Sequence, residues 1–277
     1  MAAALKERGI EPDEPCYNSV LLACPMSERW QKALDVLEEM RRAWRPTVDS
    51  YAAVIGACAQ GRQFERALEV LAVMRESGVD PDLHCYERAI IACRHCKESV
   101  SAILVLDEMR RSGLKPSLVA SNMAIEACVR DKEWLRALDL FDEMTECGVE
   151  PDVFTFNTAL SACHKSGQWE RALTLLDDMK RAGCEPGVHS YYCAVSACRE
   201  AGQWDEAIAL FGEMGLVGLQ PDALTYSAVI VACQMAKKWS RVPRLVNQMR
   251  REGLEPSIHA CNASIKASVH AMQYTQA

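Results

Sequence analysis

An alanine–cysteine pair returns along this chain at an almost unvarying interval. Cys24, Cys58, Cys93, Cys128, Cys163, Cys198 and Cys233 stand 34, 35, 35, 35, 35 and 35 residues apart, each directly after an alanine, and the next step falls on Ala267 and Ser268. Met40, Met74, Met109, Met144, Met179, Met214 and Met249 keep the same register, as do Pro46, Pro81, Pro116, Pro151, Pro186, Pro221 and Pro256. A period of this length confines the fold to an array. One short unit cannot bury its own apolar face, so each must pack on its neighbours.

Residues 153–187, VFTFNTALSACHKSGQWERALTLLDDMKRAGCEPG, show what one unit contains. Phe156, Leu160 and Cys163 fall at helical spacing and give a first apolar stripe, which Ser166 and Gly167 break. Trp169, Ala172, Leu173 and Leu176 form a second stripe closing at Met179. Gly183 sits where a helix end favours a left-handed residue, and Pro186 stops continuation. After the prolines come Asp13, Thr47, Asp82, Ser117, Asp152, Gly187, Asp222 and Ser257, all suited to cap the next helix. No strand-type alternation intervenes. The expected fold is all-α, a right-handed α-solenoid of stacked helix-turn-helix repeats of 34–35 residues.

Seven full repeats fit, at 14–47, 48–82, 83–117, 118–152, 153–187, 188–222 and 223–257. The first is one residue short around Arg42, Ala43 and Trp44, where the others carry a glycine. Residues 1–13 read as the tail of a preceding repeat, and 258–277 as the first helix of an incomplete eighth. Neither end has a polar capping repeat, so the chain is expected to be part of something longer.

Several functional classes fall away. Aromatics are 6% of the chain, while Cys and Met number 14 and 12, a balance that suits packed helices over a β-sandwich. No apolar run approaches the roughly 20 residues that span a bilayer, so no membrane insertion is expected. The start MAAALKERGIEPD has no secretory core and shows no transit peptide. A chain of this length without a signal sequence is expected to keep its thiols reduced. Net charge is −7, which counts against non-specific attachment to phosphate backbones but leaves room for a local basic groove. Most acids, such as Glu38 and Glu39, Asp142 and Glu143, and Asp177 and Asp178, fall on second helices, where a solvated face is the default.

Two clusters suggest chemistry. Cys163 beside His164 could be a nucleophile with its base, but six other repeats place cysteine there without histidine. The equivalents of His164 are Pro25, Ala59, Arg94, Val129, Arg199 and Gln234. Cys163 is therefore read as core, a small apolar side chain where helices approach. Cys93, His95 and Cys96 resemble half a metal site, yet Cys93 is again the inward repeat cysteine and no second pair stands at zinc spacing. Phosphate-binding glycine loops, nucleophile elbows and HExxH helices are absent from the sequence, and neither catalysis, a cofactor, a metal nor a small-molecule substrate is expected. His84, His189 and His259 occupy one register position, read as a groove-lining or helix-start slot.

The pattern Y-N-x-x-(I/L)-x-A-C, then W-x-x-A-L-x-L-x-x-E-M, then G-x-x-P-D, resembles the pentatricopeptide repeat family over nearly the whole chain, most closely at 153–187. The repeats look P-type, with the flavour of algal or protist members. That resemblance implies binding of single-stranded RNA, one base per repeat, along the face of the first helices. In the family the fifth and last residues of each repeat read the base. Here the pairs are Asn18/Thr47, Ala52/Asp82, Glu87/Ser117, Asn122/Asp152, Asn157/Gly187, Tyr192/Asp222 and Ser227/Ser257. Asn122/Asp152 matches a strong family combination and implies uracil at the fourth repeat, in keeping with an amide that can donate and accept on a pyrimidine edge. The second position sandwiches bases, a role Val119, Phe154 and Leu224 suit and Asp49 and Pro15 do not. At the thirteenth position Arg130 and Lys165 match the family's phosphate lysine, while Met26, Gln60, His95, Glu200 and Met235 depart from it.

Two functions remain open. One is a non-catalytic RNA-binding adaptor of organellar RNA metabolism, in a mitochondrion or chloroplast by resemblance. The other is a scaffold subunit of a larger protein or ribonucleoprotein assembly, such as an organellar ribosome, with its base-reading code decayed. Glu87, Tyr192 and the acidic pI of about 5.5 favour the second, and the Asn122/Asp152 pair with Arg130 and Lys165 favours the first.

Overall fold

The computed structural model describes residues 14–23 and 30–275 of the chain. Residues 1–13, with the cap expected at Asp13, lie outside the described residues, as do Cys24, Pro25, Met26 and 276–277. Among the described residues there are fifteen α-helices and no strands. The chain divides into two compact units, Met1–Glu150 and Pro151–Ala277.

The first unit holds α1 (Glu14–Ala23), α2 (Trp30–Ala43), α3 (Val48–Gln60), α4 (Phe64–Glu76), α5 (Leu83–Cys96), α6 (Ser99–Arg111), α7 (Leu118–Arg130) and α8 (Trp134–Glu146). The second holds α9 (Val153–Ser166), α10 (Trp169–Arg181), α11 (Val188–Glu200), α12 (Trp204–Leu216), α13 (Ala223–Met235), α14 (Arg241–Arg251) and α15 (Ile258–Thr275). Within each unit the first helix of a repeat packs on its own second helix and on the first helix of the next repeat, so the architecture is an all-α helical-repeat solenoid. First helices are accordingly the drier layer: in α3 every residue from Ser50 to Ala59 is buried.

The register residues owe their spacing to helix ends as much as to packing. After every second helix except α2, a glycine takes a left-handed conformation, as at Gly78 (φ 70°) and Gly183 (φ 74°). The next N–H then reaches back to the register methionine: Val79 N–H to Met74 O at 3.1 Å, Cys184 N–H to Met179 O at 3.0 Å. This is the bond that closes a helix once the chain has turned left-handed. First helices end the same way on the register cysteine, with Gln63 N–H on Cys58 O at 2.9 Å and Gln168 N–H on Cys163 O at 3.0 Å. Here, among the described residues, the left-handed residue is Gly167 or Gly202 in two repeats, but Arg62, Lys97, Lys132 and Lys237 in four more, at φ 54°, 63°, 68° and 55°.

The side chains of Cys58, Cys93, Cys128, Cys163, Cys198 and Cys233 and of Met40, Met74, Met109, Met144, Met179, Met214 and Met249 are buried. Buried tyrosines ahead of the cysteines, at Tyr51, Tyr86, Tyr191 and Tyr226, tie their repeats together, whereas the fourth and fifth repeats carry Ser121 and Phe156 there. Tyr51 Oη donates to Ser77 Oγ at 3.2 Å, and Tyr191 Oη donates to Glu213 Oε1 at 2.9 Å, at the C-terminal ends of their own second helices. A buried hydroxyl with its partner supplied is a hydrogen bond worth about 1 kcal/mol net.

Candidate nucleic-acid interface

The residues after each proline act as helix caps. Asp82 Oδ1 accepts from Cys85 N–H at 2.8 Å, Asp152 Oδ1 from Thr155 N–H at 2.8 Å, and Asp222 Oδ1 from Thr225 N–H at 2.8 Å. Ser117 Oγ and Ser257 Oγ accept from Ala120 and Ala260 N–H at 3.1 and 3.2 Å. The cap accounts for these oxygens without RNA, and it also fixes where each last-position side chain stands.

Second-position side chains lie on the exposed rim of the first helices. Pro15, Asp49, His84 and Val119 are exposed in the first unit, and Phe154, His189, Leu224 and His259 in the second. Val119, Phe154 and Leu224 leave 49%, 46% and 59% of their surface to solvent, open enough for a planar ligand to cover.

Fifth-position residues sit one turn further along, and three are linked to the last position of the same repeat, two through a serine of the next repeat and one directly. Ser190 Oγ accepts the Gly187 N–H at 3.2 Å and donates its own proton to Asn157 Oδ1 at 2.6 Å. Ser50 makes the same bridge, taking Thr47 N–H at 3.2 Å and donating to Asn18 Oδ1 at 2.6 Å. With their carbonyl oxygens engaged, Asn157 and Asn18 are left to offer NH2 groups, donors suited to a base carbonyl. In the third repeat Ser117 Oγ donates straight to Glu87 Oε1 at 2.6 Å. Ala52 is buried, and its carbonyl accepts from Arg88 Nη1 at 2.9 Å. Ser227 turns its hydroxyl back to Ala223 O at 2.8 Å, and Ser257 is exposed. Asn122 is buried on α7 in the first unit, and Asp152 caps α9 in the second.

The two phosphate candidates differ. Arg130 is held by Glu126 of its own helix, with Nη2 2.7 Å from Oε1. Glu126 Oε2 also holds Arg94 Nη1 at 2.9 Å. Burial alone would raise the Glu126 carboxyl, but its bonds to Arg94 and Arg130 hold it below the ordinary range. Lys165 is exposed and makes no ion pair among the described residues. Its ammonium is the freer cation.

Sequence reasoning missed a ring cluster in the second unit. His164 meets Tyr192 edge-on, with ring centroids 5.7 Å apart, and His189 lies 6.4 Å from the same tyrosine. His164 is 5% exposed, with Nε2 3.3 Å from Glu200 Oε1. Burial pulls its pKa below 6.5 despite Glu200, with Lys165 and Arg199 pushing the same way. The signal was available: Tyr192 stands at a fifth position and His189 at a second, three residues apart on one helix.

Around the Cys93 cluster, His95 and Cys96 are engaged elsewhere. His95 Nδ1 lies 3.0 Å from Ala59 O and its Nε2 2.8 Å from Arg94 Nη2, while Cys96 Sγ donates to Arg62 O at 3.1 Å. No group of three His, Cys, Asp or Glu side chains that could hold a metal occurs among the described residues. Burial pushes the Cys93 and Cys128 thiols up to about 12, so they are poor ligands and nucleophiles.

Comparison with known proteins follows the repeats. The PPR repeat family matches residues 116–165 and 151–199, the pentatricopeptide repeat domain matches 2–62, 70–132 and 209–271, and the PPR repeat matches 49–79 and 189–219. No curated protein matches the chain in sequence. Among solved structures, the pentatricopeptide repeat protein PPR10 from maize aligns with TM-score 0.60 and 23% identity, covering 96% of this chain and 43% of that one. PPR10 in complex with an 18-nt psaJ RNA element aligns with TM-score 0.65 and 21% identity, covering 96% and 39%. The PPR domain of Arabidopsis thaliana protein-only RNase P 1, in complex with tRNA, aligns with TM-score 0.59 and 19% identity, covering 72% and 98%. At these identities the likeness is one of fold, and the chain spans about two fifths of the length of PPR10. With one family description alone matching well over half of its residues, the chain belongs to the pentatricopeptide repeat family.

Proposed function

We propose that the chain is a non-catalytic adaptor that binds single-stranded RNA, one nucleotide per repeat, in organellar RNA metabolism such as processing, stabilisation or translation. The observation that carries this reading is the fifth repeat. There Asn157, its carbonyl locked by Ser190, stands on the same helix as the exposed Phe154 and the unpaired Lys165. Those three side chains supply edge recognition, stacking and a phosphate contact, which are the ingredients of single-strand recognition. The RNA complexes of PPR10 and of the RNase P repeat domain support the direction of the reading. By family resemblance the fourth repeat, with Asn122 and Asp152, takes uracil.

A second reading, a scaffold within a larger protein or ribonucleoprotein assembly, is favoured by one observation. In the first unit Glu87 faces Ser117, and Glu126 consumes Arg94 and Arg130, so the first-helix face there is largely self-neutralised. Selection from random single-stranded RNA at about 0.1 M salt, where screening is moderate, separates the two. An enriched short motif, lost in Asn157→Ala and with a uracil lost in Asn122→Ala/Asp152→Ala, is the expected result. Absence of enrichment, with all binding vanishing as salt rises, would transfer the assignment to the scaffold.

A further inference from the structure

We propose that the outer face of α14 is a second RNA contact, one that grips phosphates of RNA extending beyond the base-reading face. This inference rests on the RNA reading above. In a chain of net charge −7, α14 reads RVPRLVNQMRR, with four arginines and no acid. The other complete second helices of the same unit differ sharply. α10 carries Glu170, Asp177 and Asp178, and α12 carries Asp205, Glu206 and Glu213.

On α10, Lys180 reaches Glu213 at 2.6 Å and Arg181 is bound to Asp178. On α14, Arg241, Arg244, Arg250 and Arg251 are exposed, and none has an ion-pair partner among the described residues. The neighbouring Glu252 is occupied, accepting from Tyr226 Oη at 2.8 Å and from Gln248 Nε2 at 3.1 Å. Lys238, just before the helix, is spoken for by Asp205. At about 100° per residue, Arg241, Arg244 and Arg251 fall within about 80° of arc, opposite the buried stripe of Val242, Val246 and Met249.

The chemistry of that face selects its ligand. Like charges at this spacing repel and tax the helix, by about 0.2–0.5 kcal/mol per pair in isolated helices. A protein partner would need an apolar centre to the interface, but Val242, Val246 and Met249 of α14 are turned into the repeat stack and Pro243 and Leu245 are half-buried. A bilayer surface would need the same residues free to insert. Guanidinium groups alone, in a row and unpaired, suit a phosphate backbone, where each contact releases counterions.

The test compares the whole chain with Arg241→Gln/Arg244→Gln/Arg251→Gln on three RNAs. One has about 7 nucleotides, enough for one per repeat. The second extends the same selected sequence to about 20 nucleotides, and the third joins it to a hairpin, so the arms tell single-stranded from duplex phosphates. The expected result is unchanged affinity for the short RNA. For whichever long RNA supplies the phosphates, affinity drops about tenfold or more at low salt and the salt slope falls by about 2, three contacts at about 0.7 each. A triple variant that binds both long RNAs like the parent, while the short RNA still needs Asn157, overturns this inference and leaves the base-reading face intact. Failure of the parent to bind any of the three overturns both. Circular dichroism and thermal melting of the variant exclude loss of fold as the cause.

Discussion

At the scale of the residue, the informative unit is a serine that no base-reading scheme names. Ser190 Oγ accepts a hydrogen bond from the Gly187 N–H and donates its own to Asn157 Oδ1, so the amide carbonyl is engaged and the NH2 group is left to donate. Ser190→Ala should leave the amide free to rotate. Base discrimination at the fifth repeat is then expected to fall by part of the 1–3 kcal/mol that a single contacted base is worth, with melting showing a loss near 1 kcal/mol. Competition binding with RNAs differing at one nucleotide checks this, and undiminished discrimination would reject the bridge. His164 offers a second prediction. Its folded pKa lies below 6.5, so the unfolded chain binds more protons as pH falls, and stability is full above 6.5 and lost below it. His164→Gln should flatten the decline of melting temperature between about pH 6.5 and pH 5. The fifth-position asparagines could be found from the repeat. Their serine partners, 32 and 33 residues away, could not, since the bond exists only once neighbouring repeats stack.

Helices raise a different question, because the same turn is built from two residue types. The left-handed position ending each first helix is glycine at Gly167 and Gly202 but a lysine or arginine at Arg62, Lys97, Lys132 and Lys237. A side chain there costs about 1–2 kcal/mol, of which the extra freedom of glycine in the unfolded chain cancels part. Lys132→Gly is expected to stabilise the protein by about 0.5–1 kcal/mol, whereas Gly167→Lys should cost a similar amount, and denaturant melts measure both. A stabilising Gly167→Lys would show that the turn is held by contacts rather than by backbone preference. The 35-residue period made these turns countable from the sequence. What it hid was that a basic residue could take the glycine's conformation, since propensity alone places lysine in the helix. The register cysteines have a parallel logic: Cys128, with its thiol pushed up to about 12, should resist alkylation in the folded protein, while the exposed Cys147 reacts readily. Mass spectrometry after brief iodoacetamide treatment distinguishes the two. Equal labelling would mean that the helix layer opens on that timescale.

For the molecule as a whole, the proposed RNA binding poses the problem of how a chain of net charge −7 would hold a polyanion. Formal charge misleads here, because a cation counts only if no carboxylate of the protein already claims it. Arg130 and Lys165 stand at equivalent register positions and read alike in the sequence. Yet Glu126 lies 2.7 Å from Arg130, and Lys165 is exposed without an ion pair among the described residues. Their contributions should therefore separate. Lys165→Gln is expected to weaken binding of every RNA sequence alike and to lower the salt slope by about 0.7, the share of one single-strand phosphate contact. Arg130→Gln should change the slope much less. Glu126→Gln is the converse experiment: it releases Arg130 and Arg94 to solvent-borne anions, so binding should tighten at low salt and the slope steepen. The melting temperature should fall at the same time, because Arg94 loses its carboxylate partner while only 20% of its side chain is exposed. Titrations of labelled single-stranded RNA from about 0.05 to 0.2 M salt, a range over which phosphate contacts declare themselves, measure all three variants. If Arg130→Gln and Lys165→Gln shift the slope equally, the Glu126 pair dissolves when RNA arrives. The self-neutralised first unit would then be an RNA surface after all.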